Sequence, residues 1–196
     1  EEQVYKALAR LREAIKKDRE EHSGNRHSAL LEYGLYKLFL SSPEACFQTI
    51  SKQLDKLDRE ITESEEISIL KSLHSLLGNL SLKNSSRYEL LKAQLKEMGW
   101  DGSPKSPRIL IFTEYRHTQE ALAKTLAKDF KIPYSEKFED QARQKIAVIH
   151  GSTPDTHLMK TVEAFATGSA PLRMMVATDV ASEGINLHHE CHNIIH

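Results

Sequence analysis

The residues best placed to do chemistry lie in the span Thr178-Asp179-Val180-Ala181-Ser182-Glu183-Gly184-Ile185-Asn186. It offers hydroxyls, carboxylates, a carboxamide and a glycine directly behind the apolar run Met174–Ala177. A run of that kind predicts a strand buried on both faces of a parallel sheet. A polar, glycine-containing loop at the carboxyl end of such a strand is where open α/β sheets bind ligands. Two further apolar runs break off in the same way. Arg108–Thr113 runs into Glu114-Tyr115-Arg116, and Lys145–His150 into Gly151-Ser152-Thr153-Pro154. Because all three polar loops follow strands, they gather on one edge of the sheet.

Several chemistries are excluded by their absence. There is no lysine-bearing phosphate loop, dinucleotide-binding glycine motif, paired-histidine zinc motif or nucleophile elbow. The sheet therefore lacks the loop that would grip a triphosphate unaided. His188-His189-Glu190-Cys191-His192 with His196 offers side chains of ligand type, but no second cluster stands at zinc-site spacing. No metal site is expected there.

The elements that must position these loops fall into two grammars. Residues 1–100 read as helical, with apolar positions at helical spacing in 1–21, 27–41, 43–61, 64–80 and from Ser86 to Gly99. Ser42-Pro43-Glu44 is a helix start, with a cap, a proline at the first position and an acid in the first turn. Tyr33 and its apolar neighbours surround much of the second helix, which predicts burial between other helices. Cys46 lies on an apolar stripe. Lysines and arginines along 6–19 are interleaved with acids, the pattern of a solvated face. Asp101-Gly102-Ser103-Pro104-Lys105-Ser106-Pro107 reads as a hinge-like linker beside Trp100.

From residue 108 onward strands alternate with helices of about a dozen residues, which implies βαβ units with right-handed crossovers. The helix Thr118–Lys128 is expected to turn Ala121, Leu122, Thr125 and Leu126 inward. The expected fold class is α/β, a parallel-sheet lobe over 108–196 behind an all-α bundle over 1–100 and the linker 101–107.

The formal net charge of −1 gives no global pull toward nucleic acid. Any such contact must come from a local patch or from backbone amides. Two distant cysteines suggest reduced thiols in an intracellular protein. No run is long enough to cross a bilayer, so no membrane is expected. A chain that starts at Glu1 and stops at His196 inside an expected strand reads as an excised piece.

Ile109-Leu110-Ile111-Phe112-Thr113-Glu114-Tyr115 with Thr118 resembles motif IV of superfamily 2 helicases and translocases. His150-Gly151, followed by a helix ending in Phe165, resembles the next segment of their second RecA-like lobe. Val176–Leu187 closely resembles motif V. Three segments in family order cover roughly 86–196. Leu40-Ser41-Ser42-Pro43 and the Ser86-Arg87-Tyr88-Glu89-Leu90-Leu91 helix also resemble the Swi/Snf-like branch, in which helices are inserted between the lobes.

The resemblance implies the second lobe of an ATP-dependent motor acting on nucleic acid, with double-stranded DNA favoured over RNA. Thr178, with Asp179 beside it, would contact a backbone phosphate; a hydroxyl and amides supply the donors a phosphate oxygen needs. Thr113, Tyr115, His150 and Gly151 would line the nucleic-acid track. Glu183, Gly184 and Asn186 would face the nucleotide across the interlobe cleft. This sequence departs from the common form at Glu183, where a basic residue is frequent, and at Asn186, where an aspartate is. ATP and Mg²⁺ would serve the parent protein, whose first RecA-like lobe is the expected partner. The chain ends before the family's motif VI and its arginine finger, so by itself it is expected neither to bind ATP nor to hydrolyse it. A different class of reading is a non-catalytic α/β scaffold module that docks a partner protein.

Overall fold

The computed structural model describes residues 1–22, 26–57, 64–178 and 191–196. Its contacts divide the chain into two compact units, Glu1–Ser85 and Ser86–His196.

The first unit holds four helices, α1 (Glu2–His22), α2 (Arg26–Ser41), α3 (Pro43–Leu57) and α4 (Glu65–Gly78). Helix α1 packs against α2 and α4, and α3 packs against the same two. Their apolar stripes meet in one core that includes Leu8, Leu11, Leu35, Cys46, Ile50, Leu70, Leu73 and Leu77. Each such aliphatic side chain contributes about 1.5–3 kcal/mol through burial. Ser42 caps α3 as expected, its Oγ accepting from the Ala45 N–H at 3.0 Å. The stripe of α2 is narrower than its composition suggests. Leu35 and Phe39 are buried, whereas Tyr33 is 61% exposed, with Lys37 Nζ 5.3 Å from its ring centroid.

The second unit begins one helix earlier than composition suggests, with α5 (Ser86–Glu97). The Tyr88 hydroxyl donates to Asp129 at 3.1 Å, and the Trp100 ring packs edge-on against Phe130 at 4.7 Å. Four strands follow: β1 (Ile109–Thr113), β2 (Ile146–Ile149), β3 (Met174–Thr178) and β4 (Asn193–Ile195). They form one sheet in the order β2-β3-β1-β4, and every pair is parallel. Helix α6 (Arg116–Asp129) packs on β1, β2 and β3, and α7 (Asp155–Ala166) follows β2.

Both faces of the sheet are covered, which explains the unbroken apolar runs. Leu110, Ala147, Ile149, Met175 and Ala177 cluster with Phe165 of α7. By strand alternation Ile111, Val148 and Val176 face the other side, where α6 lies. Among the described residues no helix is long and apolar enough to cross a membrane.

Residues 101–107 do not form a free hinge. Asp101 Oδ1 accepts from the Ser103 N–H at 2.8 Å and from the Ser106 hydroxyl at 2.6 Å. These bonds, that of Ser106 first, hold its carboxyl down to about 2. Arg173, buried at the amino edge of the sheet, donates to Pro104 O at 2.9 Å, Ala170 O at 2.6 Å and Leu172 O at 2.9 Å. The segment is fastened to the sheet, and it sets where β1 begins.

Candidate functional site

Parallel pairing decides which loop residues become neighbours. Thr113 and Thr178 are register partners at the carboxyl ends of β1 and β3, so their side chains leave the same face. On the other side of β3, Ile149 pairs with Ala177, which brings His150 beside Thr178. Thr178 therefore stands between Thr113 and His150 on three adjacent strand ends. These three expected site residues come together, although they are distant in sequence.

Their local chemistry favours donors over net charge. Thr178 is buried. Thr113 is half-buried, and its Oγ1 is enclosed without a hydrogen-bond partner among the described residues. An enclosed hydroxyl with no partner is costly unless a ligand or water completes it.

His150 is held by its own turn: its N–H donates to Thr153 Oγ1 at 3.0 Å and its carbonyl accepts from the Thr153 N–H at 2.8 Å. The Ser152 N–H donates to Nδ1 at 3.3 Å, which requires a ring unprotonated at that nitrogen. Burial, with Arg116 second, lowers the imidazole pKa, and Glu120 opposes the shift. Gly151 is exposed at the tip of this turn, open to an approaching backbone. Tyr115 is half-buried and is the N-cap residue of α6.

Two helix starts reinforce the edge. Among the described residues neither α6, after Tyr115, nor α7, after Pro154, has a side-chain cap. Both begin just beyond strand ends, so their positive dipole ends lie at the same edge as the hydroxyls. Arg116 opens α6 and donates from Nε to Glu120 Oε1 at 2.8 Å.

Asp179, Glu183, Gly184 and Asn186 lie outside the described residues, as do His188, His189 and Glu190. Of the remaining ligand-type side chains, Cys191 turns its thiol to the carbonyls of Arg108 and Asn193, and His196 stacks on Phe112 at 5.0 Å. Among the described residues no three His, Cys, Asp or Glu side chains are grouped to hold a metal ion. The edge supplies hydroxyls and amides, a donor set that suits a phosphate oxygen rather than a bare divalent cation.

Sequence reasoning missed Gln119. It expected Ala121 and Thr125 on the inner face of α6, but these are half-buried, and the interior face carries Gln119, Leu122, Ala123, Leu126 and Ala127. No local signal marks a glutamine just before the first apolar position as interior.

Comparison with known proteins bears on the second unit; the relatives named are RNA helicases and give no support to the Swi/Snf-like branch or to a preference for DNA. Residues 87–196, more than half of the chain, match the family described as the helicase conserved C-terminal domain. The chain is 32% identical over 105 residues to the ATP-dependent RNA helicase DBP3 of Coccidioides immitis, covering 54% of this chain and 16% of that protein. It is 34% identical over 100 residues to the ATP-dependent RNA helicase dbp-3 of Neurospora crassa, covering 51% and 13%. With the pre-mRNA-splicing ATP-dependent RNA helicase PRP28 of Saccharomyces cerevisiae it shares 28% over 81 residues, covering 41% and 11%. The chain thus spans less than a fifth of the length of these relatives.

Proposed function

The chain belongs to the helicase conserved C-terminal domain family, and on that premise we propose that it is the second motor lobe of an ATP-dependent nucleic-acid translocase. Its part is to grip one strand of double-stranded DNA along the carboxyl edge of its sheet. The observation that carries this reading is the pairing of Thr113 with Thr178, one of them with an enclosed hydroxyl lacking a partner among the described residues. Thr178 with Asp179 contacts a backbone phosphate, and Thr113, Tyr115, His150 and Gly151 line the track on either side.

A grip built from hydroxyls, amides and helix starts reads the backbone and not the bases, which suits a motor that must step along any sequence. It also fits a chain with no net positive charge. The named relatives are RNA helicases. The choice of the Swi/Snf-like branch, and with it double-stranded DNA, rests on Leu40-Ser41-Ser42-Pro43 in the helical unit, outside the family match, and on the Ser86-Arg87-Tyr88-Glu89-Leu90-Leu91 stretch of α5.

ATP and Mg²⁺ serve the complete motor, where hydrolysis would supply the opening and closing of the cleft between the two lobes. Glu183, Gly184 and Asn186 are this lobe's contribution to the nucleotide side. The chain by itself, without a lysine-bearing phosphate loop, does not hydrolyse ATP; nucleic-acid-stimulated turnover by the pure 196-residue protein would refute that.

The test of the grip is a salt titration of binding to duplex DNA, duplex RNA and single-stranded RNA, with wild type and Thr178→Ala. The expected result is tighter binding to duplex DNA. The variant should bind all three more weakly with the log–log salt slope unchanged, because a neutral hydroxyl releases no counterion. Unchanged binding in the variant would remove Thr178 from the interface. Preference for RNA would overturn the DNA assignment while leaving the edge in place.

A further inference from the structure

Gln119 lies within the first turns of α6 and has no exposed surface. Its side-chain amide donates to Ile149 O at 2.6 Å and to Val176 O at 2.7 Å. Ile149 is the last residue of β2, directly before His150, and Val176 lies two residues before Thr178. Both partners are acceptors, so only the NH₂ end can face them, and the orientation of the amide follows from the network. Both of its hydrogens are thereby used. Its Oε1 is also enclosed and has no partner among the described residues.

A position with no exposure, beside Leu122, Ala123 and Leu126, would be filled more favourably by an apolar side chain if packing were its only duty. The amide is kept for the two bonds it makes. Those bonds join three elements that each carry part of the candidate site: the start of α6 with Tyr115 and Arg116, the turn after β2, and the end of β3.

We propose that Gln119 is a positioning residue of the strand grip, tying α6 to the ends of β2 and β3 so that the His150-Gly151 turn and Thr178 stand at fixed relative heights. This rests on the nucleic-acid reading of that edge. Donors spaced to meet successive phosphates are useful only if their spacing does not drift, since misplacement of a fraction of an ångström to an ångström already weakens such contacts severalfold or more. The glutamine removes one source of drift, the sliding of β2 and its turn against β3.

The test uses Gln119→Met, which keeps the volume and loses both bonds, and Gln119→Asn, which keeps an amide one methylene too short. Hydrogen exchange read on the 196-residue protein should show the amides of 150–153 and 177–178 exchanging about tenfold faster in both variants, with those of α1 and α3 unchanged. DNA affinity should fall about tenfold with the salt slope unchanged, because the donors it positions are uncharged. In the complete motor, the DNA concentration giving half-maximal ATPase should rise while kcat at saturating DNA stays within about twofold. A merely structural glutamine would lower the melting temperature and leave the affinity and half-saturation of the folded molecules unchanged; that result overturns the proposal. If Gln119→Met does not fold, Gln119→Asn decides by the same readouts. If wild type binds no nucleic acid at all, the functional reading fails, and the exchange comparison still shows whether Gln119 holds the edge.

Discussion

Replacing Gly102 by alanine tests whether residues 101–107 are a fastened turn or a free hinge. Gly102 is buried and has a φ of 76°, a left-handed conformation that costs an L-residue about 1–2 kcal/mol. A Cβ there would stand 2.5 Å from Ile132 Cδ1 and 3.3 Å from Cγ1. The nearer atom is the end of a flexible side chain, but Ile132 is itself only 8% exposed, so its retreat disturbs packed neighbours. Overpacking of that kind costs about 1–3 kcal/mol. The two contributions together predict a loss of about 2–5 kcal/mol from the α/β unit. The single tryptophan, Trp100, reports the change directly, because its Cη2 lies 3.8 Å from the same Cβ position. Urea unfolding followed by its fluorescence should show a lower midpoint with little change in slope. Adding Ile132→Ala to Gly102→Ala should recover the steric part and leave the backbone part, a coupling of about 1 kcal/mol or more in a double-mutant cycle. A change below about 0.5 kcal/mol for Gly102→Ala would show that the turn yields freely, and the argument for a fastened segment would fall.

His150 predicts a pH dependence. Its folded-state pKa is lowered, by burial first and Arg116 second, so between that value and about 6.5 the unfolded chain binds more protons. Stability from this group is complete above about pH 6.5 and is lost as the pH falls through that value; His150→Asn should flatten the profile measured by thermal melts between pH 8 and 5. In the helical unit, Leu73→Ala removes a fully buried side chain from the core of α4. It should lower stability by about 2–5 kcal/mol, read by helical circular dichroism in urea; a loss below about 1 kcal/mol would contradict a close-packed core.

Much of the lobe was legible because its signals are local. Three apolar runs each ended in small polar residues, and that alone located the strand ends carrying Thr113, His150 and Thr178. The helix start at Ser42-Pro43 was equally readable, since a cap needs only the residues beside it. Composition misled where a distant partner decides. The turn-rich 101–107 reads as a hinge until Arg173 donates to the Pro104 carbonyl across 69 positions. Helix α5 reads as part of the bundle until Tyr88 meets Asp129. Gln119 looks like a surface residue because its acceptors are 30 and 57 residues away.

By itself the sequence determined the element types, the change from helical to alternating grammar, and the family resemblance of the loops. Those follow from periodicity and short-range chemistry, which act over a few residues. Only the tertiary structure decided that β3 lies between β1 and β2, that Thr113 is the register partner of Thr178, and that a buried amide joins the strand ends. Strand order and register are set by which faces can be buried together and by hydrogen bonds between distant segments, and no stretch of a single strand contains that information.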